Sequence, residues 1–153
     1  MTNKIVDGRA LHSNVKGQLA TLPEPSSNAC GLAVEDHEDT RLLLRARLEL
    51  RGGISVVEAD NEVMAIGLAE SLLPDLVLMD SNLPLIDSYE ATRRIHQLMS
   101  TSEIPIVFIY GHAQPAAEAK AFAAGCADYL VKPFALRELN RMLERQLSQG
   151  EAN

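Results

Sequence analysis

Tryptophan is absent from this chain, and three tyrosines and three phenylalanines are its only aromatic residues. Positive charge is also in short supply: 14 Lys and Arg stand against 21 Asp and Glu, a net charge of −7. That balance lacks the basic footprint of a direct nucleic-acid binder; a small acidic domain with few aromatics suits contact with other proteins. No stretch approaches the ~18 uninterrupted apolar residues of a membrane span. The N-terminus has no continuous apolar segment of the signal-peptide kind, so a cytoplasmic chain is expected, with no membrane partner. The only cysteines, Cys30 and Cys126, each lie beside an apolar run and read as buried reduced thiols rather than a disulfide. Zinc-ligand spacing, GxxxxGK[ST] and GxSxG are all missing.

The 153 residues, 46% of them apolar, suffice for one domain with a real core. Residues 1–28 differ from the rest and read as a leader. Leu22-Pro23-Glu24-Pro25-Ser26-Ser27-Asn28 has linker composition. Before it, Leu11, Val15, Leu19 and Leu22 recur at helical spacing. A short docking or dimerisation helix is one reading; a mostly disordered leader is the other, since Gly8 and Gly17 weaken any helix. The domain is expected over 29–149, with a tail at 150–153.

From Cys30 onward, short apolar runs alternate with longer amphipathic stretches. Strands are expected at about 30–35, 54–58, 76–79, 106–109 and 128–131. Helices are expected at about 39–51, 61–73, 88–99, 115–124 and 136–149. The first helix carries Leu42, Leu43, Ala46 and Leu50 on one side, and the last carries Leu136, Leu139, Leu143 and Leu147. Gly52-Gly53 and Gly125 end helices; Asp39, Asp60 or Asn61, and Ser88 are candidate N-caps. Five strands alternating with five helices imply a parallel sheet covered on both faces. The common doubly wound solution of this size orders its strands 2-1-3-4-5, with a switch point between strands one and three.

The charged residues fall where that topology predicts a crevice. Glu35-Asp36 closes the first strand, Asp80 the third, and Lys132 follows the fifth. Three carboxylates and one ammonium converging at one sheet edge make a site for a hard cation and a phosphoryl group. Taken alone, each residue has an ordinary explanation: a strand-end cap, a solvated acidic turn, a surface lysine.

Together these features resemble the receiver domain of two-component response regulators. The resemblance covers about residues 30–148. It rests on Glu35-Asp36, Asp80 followed by Leu83-Pro84, Asp87, the segment Gly125-Cys126-Ala127-Asp128-Tyr129-Leu130, and Lys132-Pro133-Phe134. Asp36 to Asp80 spans 44 residues and Asp80 to Lys132 spans 52, as in compact receivers. The resemblance implies a flavodoxin-like (βα)5 three-layer α/β sandwich. It implies that Asp80 accepts a phosphoryl group from a histidine kinase or histidine phosphotransfer protein, acting as a carboxylate nucleophile. It implies Mg²⁺, with Mn²⁺ as a substitute, held by Asp36, Asp80 and the Asn82 backbone carbonyl, and by Glu35 directly or through water. Lys132 would pair with Asp80 at rest and with the phosphoryl group afterwards, its bond to Pro133 being cis. The downstream partner would be an unknown protein meeting the fourth helix, fifth strand and fifth helix. Homodimerisation is compatible with the family, though no residue here argues for it.

One position departs from the pattern. Receivers usually end the fourth strand in Ser or Thr, whose hydroxyl moves to the phosphoryl group. Here Tyr110 stands there, followed by Gly111 and His112. The phenol could reach the phosphoryl group from another angle, with Gly111 freeing the loop, or Tyr110 could face outward as a partner contact. Tyr129 matches the family's rotating aromatic, or is simply packed. His112 reads as an exposed loop residue. His37 reads the same way, with a bias on metal affinity or pH response as the sharper alternative. Three functions follow: a stand-alone phosphoacceptor receiver, a phosphorylation-independent interaction module on the same fold, and a small phosphohydrolase. The last needs an acid two residues after Asp80, where Asn82 stands. A receiver is not an enzyme beyond its own Mg²⁺-dependent phosphorylation and dephosphorylation.

Overall fold

The computed structural model describes residues 28–112 and 115–151; the helix considered at 11–22 lies outside them. In chain order the elements are β1 (Ala29–Val34), α1 (Glu38–Arg51), β2 (Ile54–Ala59), α2 (Glu62–Leu72), β3 (Leu76–Asp80), α3 (Ser88–Gln97), a 3-10 turn (Met99–Thr101), β4 (Ile106–Tyr110), α4 (Pro115–Ala124), β5 (Asp128–Val131) and α5 (Leu136–Glu151). The five strands form one parallel sheet in the order β2-β1-β3-β4-β5. Neighbours β1 and β3 receive their helices from opposite directions, which opens a crevice at their carboxyl ends.

Side chains alternate between the two faces of each strand, and both faces are buried. On one face Leu32, Val34, Val77, Met79, Ile106, Phe108 and Tyr110 pack against Ala65, Ala69, Ala91, Ile95 and Ala121 of α2, α3 and α4. The alanines let those helices approach the sheet closely. On the other face Ala33, Leu76, Leu78, Val107, Ile109 and Leu130 pack against Leu44 and Leu48 of α1 and Leu139, Met142 and Leu143 of α5.

The apolar side expected to bury α1 faces outward. Leu42, Leu43 and Leu50 are 49%, 56% and 72% exposed, whereas Leu44 and Leu48 are buried. Charged contacts set this rotation. Arg41 Nε donates to Glu58 Oε1 at 2.9 Å, Arg45 Nη1 to Glu58 Oε2 at 2.8 Å, and Arg47 Nη1 to the Phe134 carbonyl at 2.7 Å. The Arg47 guanidinium also lies 5.4 Å from the centre of the Phe134 ring. Arg45 and then Arg41 hold the Glu58 carboxyl below its ordinary range. With positions 41, 45 and 47 tied to β2 and the segment after β5, positions 44 and 48 must face the sheet.

Caps differ in detail from the sequence expectation. Asn61 caps α2 through a 2.8 Å bond from the Met64 amide, as one candidate required. Asp39 lies within the first turn of α1, whose N-cap, His37, makes no side-chain capping bond. Asp87, not Ser88, caps α3, accepting from the Glu90 amide at 2.6 Å; Ser88 is buried one residue later. Gly52 and Gly53 have φ of 85° and 80° and Gly125 has φ of 112°, the left-handed region that glycine enters without strain. A Cβ at Gly125 would lie 2.8 Å from His96 Nδ1. Cys126 is buried and Cys30, expected to be buried, is half-buried; they form no disulfide.

The rotation of α1 is testable by truncation. Leu48→Ala removes a core side chain and should cost about 3 kcal/mol, whereas Leu50→Ala should change stability by less than about 0.5 kcal/mol. Urea titration followed by circular dichroism measures both; equal effects would place the wrong stripe inside.

Candidate functional site

Strand alternation aims the charged groups to one side. Glu35 continues the row of Ala33, Asp80 that of Leu76 and Leu78, and Lys132 that of Leu130, all on the α1/α5 face. The parallel sheet brings their strand ends to one edge. Asp80 is the last residue of β3 and 7% exposed; Glu35, just past β1, is 2% exposed. Lys132 Nζ lies 3.3 Å from Glu35 Oε1 and 3.8 Å from Asp80 Oδ1. The lysine therefore hydrogen-bonds Glu35 and stands within ion-pair reach of Asp80. Burial accounts for this: Glu35 is the more enclosed carboxylate and has more to gain from a charged donor. The Lys132–Pro133 bond is cis, as expected.

Glu35 Oε2 accepts from the His37 amide at 3.1 Å and lies 3.1 Å from His37 Nδ1. The His37 side chain is 75% exposed, in line with a loop residue, yet it touches the acidic pair. The bond with Glu35, followed by the field of Asp36, raises its pKa. His112 is exposed.

Asp36 is the least satisfied member of the group. Its Oδ1 is buried and takes no hydrogen bond, although His37 Nδ1 stands 3.3 Å away. Ligand atoms of Glu35, Asp36 and His37 lie within 4.8 Å of one another. An orphaned carboxylate oxygen among hard oxygen donors is the donor set of a hard divalent cation. Glu35, with both oxygens engaged, fits that ion better through water than directly.

Burial pushes the Asp80 carboxyl up to about 6, and Glu35 adds to the rise; Lys132 and the Asn82 amide pull the other way. The segment after Asp80 is held tightly. Ser88 Oγ donates to the Asp80 carbonyl at 2.7 Å. Glu62, fully buried, accepts from the Leu85 amide at 3.1 and 3.0 Å and from the Ile86 amide at 2.7 Å. Nothing in the sequence singled out Glu62, because a glutamate one residue after an N-cap is ordinary.

The three expected switch residues lie on the opposite face or beyond it. Tyr110 continues the row of Ile106 and Phe108 and is 4% exposed, which excludes an outward contact. Its hydroxyl donates to the Ala117 carbonyl of α4 at 3.0 Å. Burial pushes the phenol well above its ordinary pKa. The ring lies 5.9 Å from Phe108 and 6.0 Å, edge-on, from Tyr129, which meets Phe122 at 6.1 Å. Gly111 is exposed, and a Cβ there would meet nothing within 4 Å.

The fold is a doubly wound five-stranded sheet with acidic groups at its switch point and a lysine just past β5, an arrangement suited to a hard cation. Residues 32–144 match the response regulator receiver domain family, and the chain belongs to it. It is similar to the rice two-component response regulator ORR41, 39% identical over 117 residues that cover 74% of this chain and 91% of that one. Its fold matches the receiver domain of the sensor histidine kinase PA1611 from Pseudomonas aeruginosa, solved with a magnesium ion in its active-site cleft: TM-score 0.74, 32% identity, covering 80% of this chain and 99% of that one. It also matches the chemotaxis protein CheY4 of Vibrio cholerae: TM-score 0.75, 26% identity, covering 79% and 100%. No described helix is long and apolar enough to cross a membrane.

The raised Asp80 pKa sets the sign of a pH effect. A carboxyl at about 6 in the folded chain, against 3.8 as its ordinary value, favours folding while protonated. That stability is complete below about pH 4 and is lost as pH rises through about 6. Metal-free Asp80→Asn should therefore be more stable than the parent by about 2 kcal/mol at pH 7. The gap should close towards pH 4; denaturant titrations at the two pH values measure it, and a gap independent of pH would refute the raised pKa.

Proposed function

We propose that Asp80 is a phosphoacceptor, charged by a histidine kinase or a histidine phosphotransfer protein, and that the chain signals through a protein surface. The observation that carries this is a nearly buried carboxylate at a strand end, 3.8 Å from the Lys132 ammonium and beside an acidic pair with an orphaned oxygen. An Asp80 oxygen forms a bond to phosphorus as the phosphorus–nitrogen bond of the phosphohistidine breaks and the imidazole leaves. Lys132 follows the charge, moving from the carboxylates to a phosphoryl oxygen. Asp36, Asp80 and the Asn82 carbonyl would hold Mg²⁺, with Glu35 acting through water. When bound, Mg²⁺ neutralises charge on the phosphoryl oxygens; Mn²⁺ offers the same donor preference. Chemistry of this kind is self-modification, with hydrolysis of the acyl phosphate resetting the chain. The signal would leave through α4, β5 and α5, with the half-exposed Phe122 ring, 48% exposed, as one contact.

A second reading, an interaction module that works without phosphorylation, is favoured by Tyr110. Its hydroxyl is occupied by Ala117 and its ring fills the core, so it is an anchor for α4 in this state. Under the first reading, phosphorylation therefore proceeds without the Tyr110 hydroxyl.

Intact-mass analysis after incubation with acetyl phosphate and Mg²⁺ separates the two readings. One added phosphoryl group that requires Mg²⁺ and is lost in Asp80→Asn is the expected result. No addition, together with no beryllofluoride binding, would favour the second reading. Tyr110→Phe should accept the phosphoryl group at the parental rate while losing about 1 kcal/mol of stability from the unpaired Ala117 carbonyl. A collapse of its phosphorylation would make the hydroxyl part of the chemistry.

A further inference from the structure

Glu62 takes no part in the ion pairs at the sheet edge, yet it is the most enclosed carboxylate among the described residues, with no exposed surface. It opens α2, directly after the N-cap Asn61, and its side chain turns away from its own helix. Both oxygens accept from the Leu85 amide and one also accepts from the Ile86 amide at 2.7 Å. Among the described residues no cation forms a salt bridge with it, and its hydrogen bonds come from two backbone amides. A buried carboxylate held this way sits where its charge is compensated only if the loop keeps its shape.

The loop in question runs from Asp80 to Asp87. One end is tied by Ser88 Oγ to the Asp80 carbonyl at 2.7 Å, and the other by Asp87 capping α3. Between these ties lies Asn82, exposed and two residues after Asp80. Only Glu62 reaches this stretch from an element outside β3 and α3 among the described side-chain contacts to its backbone. It fixes the second half of the loop, just before Asp87, against α2.

We propose that Glu62 is a positioning residue for the acidic site: by clamping the Leu85 and Ile86 amides it sets the backbone of the Asp80–Asp87 loop, and so the placement of the Asn82 carbonyl toward the cation. The inference rests on the phosphoacceptor reading of the same site. Glu62 touches neither the cation nor the phosphoryl group; it acts through the loop. Its chemistry suits that task, because a carboxylate offers acceptors in two directions and satisfies two successive amides at once.

The test uses the full chain and three variants. Glu62→Gln keeps the shape and one acceptor oxygen, Glu62→Ala removes both oxygens, and Ser55→Ala, an exposed β2 residue outside the site, is the control. Hydrogen exchange of the Leu85 and Ile86 amides in the metal-free chain should speed up strongly in Glu62→Ala and less in Glu62→Gln. Mg²⁺ affinity by calorimetry should weaken about tenfold or more in Glu62→Ala, with partial recovery in Glu62→Gln, as for other groups that orient ligands. Phosphorylation by acetyl phosphate should approach the parental rate again at saturating Mg²⁺. If the parent binds Mg²⁺ and the folded variants bind it equally well, Glu62 is merely structural and the proposal fails alone. Rates that stay low at saturating Mg²⁺ would also overturn it, because placement of the ion would not be what was lost. If the parent itself binds no Mg²⁺, the phosphoacceptor reading fails with it. Should Glu62→Ala not fold, Glu62→Gln carries the same comparison.

Discussion

One ammonium shared by two buried carboxylates is the interaction on which the site depends. Lys132 stands 3.3 Å from Glu35 and 3.8 Å from Asp80, and Asp36 adds a third acid beside them. Burying two carboxylates at a strand edge without a counter-charge costs several kcal/mol. The lysine offsets part of that, and the residual strain appears as the raised pKa of Asp80. The site is therefore underneutralised as folded. Under the proposed function a divalent cation would relieve it at rest, and a phosphoryl group on Asp80 would bring further negative charge for that cation and Lys132 to meet. The same imbalance that makes Asp80 costly in the folded chain favours a cation beside it.

That arrangement needs the sheet to be parallel and its order to be 2-1-3-4-5. Only then do the ends of β1, β3 and β5 lie along one edge with β1 and β3 adjacent. Alternation then decides the side: Glu35, Asp80 and Lys132 project toward α1 and α5, while Tyr110 projects toward α3 and α4. Chemistry and aromatic column are on opposite faces of the same strands. The α1 rotation fixed by Arg41, Arg45 and Arg47 matters here as well, since α1 starts two residues after Asp36 and its seating holds the acidic pair against Lys132.

The alternation of apolar runs with amphipathic stretches makes the five strands, their order and the edge carrying Glu35, Asp36, Asp80 and Lys132 legible in the sequence alone. These depend on local pattern and on few topological choices. Features decided by tertiary partners were not legible. The outward face of α1 is as apolar as the inward one, and only the arginine bonds to Glu58 and Phe134 distinguish them. Asp87 and Ser88 are both good caps, and the winner is decided by the demand of the Asp80 carbonyl for a donor. Glu62 resembles any first-turn glutamate until the loop it binds is folded beside it. The preference of Lys132 for Glu35 depends on relative burial, which spacing does not encode.

Tyr110 shows how a substitution can leave a site intact and change what lies behind it. A short hydroxyl residue at the end of β4 would leave space between the strand and α4. The tyrosine fills that space, bonds Ala117 and meets Phe108 at a tilt and Tyr129 edge-on, with Phe122 edge-on beyond Tyr129. Its hydroxyl cannot turn to a phosphoryl group without abandoning the Ala117 carbonyl and emptying a packed volume, and both losses oppose the move. The ring is wedged between β4 and α4, where a travelling hydroxyl would need room to turn.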